Sequence, residues 1–380
     1  MVADKAVSTM RYIAAVLLNM EYGQEIPELP DEITYSDVFK VASMHSMAST
    51  VWYFIGDKVR EECPGDLVMR WERETGMDFV KNLVQTEEFQ AITKLLSQNK
   101  IRFLPIKGFL FKNIWKSPEY RTMADMDFYV DPSDMEKVSQ LLLSNGYSEN
   151  SKEEMHDTFD KPPYVHVEIH RGLERDTKES FDNWIAKEDD PYWYYMGDED
   201  FVVYNVSHMY KHFVKGGCGA RSLFDIHLYL KRKGDSLNQN LLKEKLEERG
   251  LWRFYTILLH LGEMWFKNGT ISYAEYDSDL LKDGIPGEQL LEFEYFIATG
   301  GAYGNVNNKV LFGAKNKSKL GYVMSRLFLP YRDMREIYKW LKPLPFLLPI
   351  AYLVRIVSAV FNKKARAELR AVNKHYSSEK

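Results

Sequence analysis

The chain has 380 residues, 45% of them hydrophobic and 14% aromatic, enough for a large core spread over two or three domains. A net charge of −5 and a pI near 6.1 leave no chain-wide electrostatic footprint for nucleic acid, which argues against a bulk nucleic-acid partner while leaving room for a local basic patch. Two cysteines, Cys63 and Cys218, exclude a disulfide framework and a cysteine-based zinc site and point to a reducing, cytoplasmic setting.

The first segment, MVADKAVSTMRYIAAVLLNM, has early acidic and polar residues and no small-residue cleavage pattern, so no signal peptide is expected. Residues 1–99 place apolar side chains at three- and four-residue spacing and read as helical. KIRFLPI (100–106) is then a strand, Lys107-Gly108 opens the helix-like run GFLFKNIWK, and RTMADMDFYV (121–130) is a second strand. Asp131, Pro132 and Ser133 start a helix that Gly146 stops. A charged segment follows, then a third strand, YVHVEIHRG (164–172). The expected fold class is α+β: a small mixed-sheet core over 100–204, flanked by an N-terminal helical region (1–99) and a C-terminal helical domain (205–380).

Alternation along a strand sends Ala124, Met126, Phe128 and Val130 to a core and Asp125 and Asp127 to the other face. In the third strand His166, Glu168 and His170 alternate with Val165, Val167 and Ile169 in the same way. If the two strands are neighbours, Glu168 converges on the two aspartates. Three carboxylates make a hard oxygen site suited to Mg²⁺ or Mn²⁺. Such a site bridges phosphate oxygens, and Glu168 is placed to take a proton from an attacking hydroxyl. Lys107-Gly108, at a strand-to-helix junction, and Arg121 are expected to cradle the phosphates.

The blocks PIKGFLFKNIW, RTMADMDFYV, LLLSNGY, HVEIHRGL and VSHMYKHFVKGGCGARSLFDIHLYL, within about residues 95–230, resemble the DNA polymerase beta-type nucleotidyltransferase superfamily. They are closest to its little-characterised bacterial nucleotidyltransferase-like branch. The resemblance implies a nucleotidyltransferase core, metal-binding Asp125 and Asp127, Glu168 as the third carboxylate, and transfer of a nucleoside monophosphate from an NTP. The acceptor, a hydroxyl or phosphate on a small molecule, sugar or protein, stays open. In this chain Lys107-Gly108 stands where the superfamily usually has Gly-Ser, and Ala124 where it often has Ser.

Other readings stand beside this one. The same fold can act as a nucleotide- or partner-binding module without turnover. His208 and His212, four apart on one helix face, suggest with His166 and His170 a His-based metal hydrolase. His170 and His212 are also candidates for lining a nucleotide cleft, Arg221 and Asp225 for a buried pair, and Gly216-Gly217 for a turn. The run PYWYYMG (191–197) is read as packing at a domain joint in preference to stacking on a base. The apolar run 344–361 carries two internal prolines and Arg355, which argue against a full span. It packs either on protein or, flanked by NKKARAELR, peripherally on a membrane surface.

Overall fold

The computed structural model describes residues 5–173, 179–266, 284–315 and 317–378. The chain divides into two compact units, Met1–Tyr210 with Gly219–Thr299, and Lys211–Cys218 with Gly300–Lys380. The first two segments of the expected three-part division therefore share one unit, and the third contributes to both.

The first unit opens with helices α1 (Lys5–Tyr22), α2 (Tyr35–Met44), α3 (Ala48–Glu62) and α4 (Gly65–Gln98). Thr34 and Asp37 start α2 reciprocally: Asp37 Oδ2 accepts from the Thr34 backbone N–H at 2.9 Å, and Thr34 Oγ1 accepts from the Asp37 N–H at 3.3 Å. The 34-residue α4 carries Phe89, Ile92 and Leu96 onto a seven-stranded sheet.

The strands are β1 (Phe103–Ile106), β2 (Met126–Val130), β3 (Ser148–Lys152), β4 (His156–Lys161), β5 (Val165–His170), β6 (Ile185–Lys187) and β7 (Asp190–Tyr195), ordered β3-β4-β5-β2-β1-β7-β6. The central pair β2–β5 is parallel, and β1 runs antiparallel to β2. Two short helices join these strands, α5 (Gly108–Lys112) after β1 and α6 (Met135–Ser144) after β2. Met126, Phe128 and Val130 of β2 and Val165, Val167 and Ile169 of β5 share one buried cluster with α4 and with Val138 and Leu142 of α6. Covering that face leaves Asp127, His166, Glu168 and His170 on the other, which is the arrangement that builds the site.

Four expectations change. The second strand begins at Met126, so Asp125 stands just ahead of it. The helix-like run after Lys107 yields only five helical residues. The charged segment forms β3, whose polar side chains suit the sheet edge, and β4, which lies between β3 and β5. The aromatic run is not a domain joint: as β7 it pairs in parallel with β1, and Trp193 packs 5.5 Å from Phe103 and 5.8 Å from Phe89, ring to ring.

Helices α7 (Asp198–Phe213), α8 (Ala220–Lys233), α9 (Gln239–Glu248), α10 (Trp252–Phe266) and α11 (Gly287–Gly300) follow. The second unit holds α12 (Val306–Ala314), α13 (Lys319–Leu327), α14 (Tyr331–Ile337), α15 (Leu348–Phe361) and α16 (Lys363–Ser378). Glu368 of α16 ties it to α12 and α13, accepting from Lys309 Nζ at 2.7 Å, Tyr322 OH at 2.8 Å and Arg326 Nε at 2.8 Å. Gly216-Gly217 is a point of backbone contact: a Cβ on Gly217 would lie 2.0 Å from Gly304 Cα, and the Gly216 carbonyl accepts from Asn305 N–H at 3.1 Å.

Candidate active site

Register brings the carboxylates together. Asp127 of β2 stands opposite Glu168 of β5, and Asp125 precedes β2 by one residue. One carboxylate oxygen from each of Asp125, Asp127 and Glu168 lies within 4.8 Å of the others. Such a group repels itself unless cations enter, and two do. Lys107 Nζ is 2.5 Å from Asp127 Oδ1 and 3.7 Å from Glu168 Oε2. His170 Nε2 is 2.9 Å from the same Asp127 oxygen and 3.2 Å from Glu168 Oε2.

The titration of the group follows from this geometry. Burial works to raise the Asp127 carboxyl, but Lys107 and the His170 hydrogen bond outweigh it and hold Asp127 ionised, below the usual carboxylate range. Glu168 behaves likewise: burial is overcome by His170 and Lys107, and its pKa falls. His170 is the converse case, because burial favours its neutral form yet hydrogen bonds to Asp127 and Glu168 raise its pKa. Asp125 is left with the repulsion. The Asp127 charge, and after it burial, push it up to about 6.

A raised carboxyl pKa carries a definite sign for stability. Asp125 titrates at 3.8 when unperturbed and about 6 in the fold, so its favourable contribution is complete below about 3.8 and is lost as pH rises through 6. Asp125→Asn is therefore expected to gain stability over the wild type between about pH 4 and pH 7, by up to roughly 3 kcal/mol without divalent metal. Paired thermal melts in chelator at those two pH values check this, and an unchanged difference would contradict the repulsion.

The donor set fits a divalent cation. Asp127 Oδ2 is buried and has no hydrogen-bond partner among the described residues, and Asp125 is held partly protonated by its neighbour. Asp125, Asp127 and Glu168 would hold a hard divalent cation, which would relieve both conditions.

The phosphate cradle expected of Lys107, Gly108 and Arg121 takes another form. Lys107, at φ +56° and ψ −122°, turns the chain sharply after β1 and sends its ammonium to the carboxylates. The five-residue α5 that follows is too short to supply much of a dipole. Gly108 serves packing: a Cβ there would lie 3.0 Å from Met123 Cγ, and its carbonyl accepts from Arg121 Nη1 at 2.9 Å. Arg121 is buried in a two-point pair with Asp225, Nε to Oδ1 at 2.8 Å and Nη2 to Oδ2 at 2.7 Å. The partner of Asp225 is thus Arg121, where Arg221 was expected. Arg221 instead donates through Nη1 to the Thr122 carbonyl and hydroxyl, both at 2.8 Å.

Cations gather beside Asp125, and two of them, Lys81 and Lys112, have no distinguishing sequence pattern. Lys81 of α4 and Arg221 of α8 both act electrostatically on it. Lys112 of α5 is 2% exposed, and its ammonium donates to Asn82 Oδ1. Burial, then Arg121, Lys81 and Arg221, lower Lys112 to about 8. A buried ammonium whose influential charged neighbours are all cations is an environment that an anion relieves.

The histidines also rearrange. His156 of β4, opposite His170, joins Glu168 and His170 in a second group of potential ligands. His166 faces Asp160, Nδ1 to Oδ1 at 2.5 Å. Among the described residues neither His208 nor His212 belongs to a group that could hold a metal ion. His212 lies in the second unit. The alternation of His156, Thr158 and Asp160 is the signal that could have shown β4 and its histidine.

A mixed sheet with two acidic strands side by side, backed by helices and carrying a third carboxylate in register, defines a nucleotidyltransferase-type core. A family of uncharacterised nucleotidyltransferases matches residues 31–267, and the chain belongs to that family. No curated protein matches it.

Proposed function

We propose that this protein transfers a nucleoside monophosphate from an NTP to an acceptor hydroxyl or phosphate, releasing pyrophosphate. The observation that carries the reading is the convergence of Asp125, Asp127 and Glu168 around the unpaired, buried Asp127 Oδ2. These three side chains would hold Mg²⁺ or Mn²⁺. When bound, such an ion neutralises phosphate charge and lowers the pKa of the attacking group.

The chain's own residues do the rest. Lys107 and His170 hold the pKa values of Asp127 and Glu168 below the usual carboxylate range, which favours the charged form of these two donors. Glu168, whose side chain is 18% exposed against 0% for Asp127, is the carboxylate an acceptor hydroxyl can reach. It takes the hydroxyl proton as the acceptor oxygen bonds to the α-phosphorus and the bond to the β-phosphate oxygen breaks. Lys81, Lys112 and Arg221 meet the negative charge of the triphosphate and of the leaving pyrophosphate. The acceptor is a small molecule, a sugar, a protein side chain or a nucleic-acid end.

One observation supports a second reading. Lys107 and His170 already neutralise Asp127 Oδ1 within the protein, as they would in a fold that binds nucleotide without turnover. Incubating the protein with α-labelled NTPs, Mg²⁺ and cell extract separates the two. Label appearing in a macromolecule or metabolite, dependent on Asp127, supports transfer. Nucleotide binding by the wild type with no label moved to any acceptor would establish the binding module.

A further inference from the structure

The chain's small net charge conceals a strong asymmetry. Residues 300–380 carry 16 Lys and Arg against 4 Asp and Glu, a net of +12, which leaves 34 against 51 for residues 1–299. The apolar run 344–361 lies in this basic stretch, as α15 and the turn before it. One side of α15 is packed: Ala351 is fully buried with Met334 and Leu341, and Leu348 and Tyr352 pack on them. Arg355 is also accounted for, its Nε and Nη2 each donating to the Arg326 carbonyl at 3.1 Å.

The other side is bare. Phe346, Ile350, Leu353, Val357 and Phe361 recur at helical spacing and are 50–76% exposed. A stripe of five large apolar side chains is costly to leave in water. After one residue, Asn362, the chain turns by 78° into α16. The first turn of α16 holds Lys363, Lys364 and Arg366, all exposed, and no acidic residue. Cations at a helix start oppose the helix dipole, so their placement works against the fold and in favour of an external anion.

We propose that the second unit docks on anionic membrane surface, with the Phe346–Phe361 stripe among the lipid headgroups and Lys363, Lys364, Arg366 and Arg370 against acidic lipid. The helix lies in the interface and does not span it. Its 14 residues reach about 21 Å, short of the roughly 30 Å hydrocarbon core, and no single helix among the described residues is long and apolar enough to cross. A second copy of the chain is a poor occupant, because pairing this face with itself brings like charges together. Nucleic acid would use the cations but gives Ile350, Leu353 and Val357 at the middle of the stripe nothing to bury.

Flotation of the full chain with vesicles tests this. Vesicles of phosphatidylcholine and phosphatidylglycerol in equal parts are expected to carry the protein, and phosphatidylcholine vesicles are not. Leu353→Glu with Val357→Glu should lower the bound fraction at least about tenfold. Lys363→Glu with Lys364→Glu should lower it roughly fivefold per charge removed, an effect that added salt reproduces. These positions are exposed, and unchanged circular dichroism and melting show that each variant folds. Failure to float with the acidic vesicles overturns the proposal. So does binding indifferent to the Leu353 and Val357 changes, or a wild-type dimer that those changes dissolve. A short RNA that binds wild type and the apolar-face variant equally, where vesicles bind neither, assigns the basic surface to nucleic acid instead.

Discussion

Asp225→Ala is expected to lower the free energy of unfolding by roughly 3–5 kcal/mol, the range for breaking a buried ion pair from one side. Asp225 is 2% exposed and accepts three hydrogen bonds, two from Arg121 and one from Trp115 Nε1 at 2.8 Å. Its removal strands a buried guanidinium and a buried indole N–H, and neither can reach water without opening the packing. Replacing both partners with apolar residues, Arg121→Met with Asp225→Leu, should recover most of the loss, because no charge is then left unpaired. Urea unfolding of the two variants against wild type checks this. A loss below about 1 kcal/mol for Asp225→Ala would show that the pair is exposed and that Arg121 is free for another duty.

The consequence reaches the site. Arg121 Nη1 also holds the Gly108 carbonyl, next to the strained turn at Lys107 that aims an ammonium at Asp127. Arg121 therefore fixes the backbone that delivers Lys107. A sequence reading that sends Arg121 to a phosphate misses this, because its partner lies 104 residues away and no local spacing announces it.

The second large effect is at Asp127. Asp127→Asn removes the charge that Lys107 and His170 share, and is expected to lower nucleotidyl transfer by about 10³-fold or more, equivalent to roughly 4 kcal/mol of transition-state stabilisation. The loss should fall on kcat, since Lys81, Lys112 and Arg221 would still hold the phosphates. The same change alters stability with a pH signature. His170 has its pKa raised by Asp127 and Glu168, so the stability this gives is present below its unfolded pKa, near 6.5, and fades as pH rises through the folded value. The destabilisation of Asp127→Asn should therefore shrink above neutrality. A loss independent of pH would mean that His170 does not carry the proton between the two carboxylates.

Much of the site was legible because two-residue periodicity leaves few alternatives. Once Met126, Phe128 and Val130 are read as core, Asp127 has one face left, and Val165, Val167 and Ile169 fix Glu168 in the same way. What escaped reading had physical causes. Strand β3 is polar and exposed because it forms the sheet edge, so it has no hydrophobic alternation to detect. His156 lies in β4, where the alternation of His156, Thr158 and Asp160 was the available signal. Lys107 looked like a phosphate ligand because Lys107-Gly108 stands at a strand-to-helix junction, whereas its positive φ and the register of β1 with β2 turn it toward the carboxylates. The basic character of the C-terminal stretch was present in the sequence but averaged away in a net charge of −5.

The most direct measurement is a Mn²⁺ titration followed by electron paramagnetic resonance, with a non-hydrolysable NTP analogue present, on wild type, Asp125→Asn, Asp127→Asn and Glu168→Gln. The account predicts saturable Mn²⁺ binding by the wild type, strengthened by the analogue and weakened at least about tenfold by each carboxylate change. Mn²⁺ binding that ignores all three substitutions would contradict it.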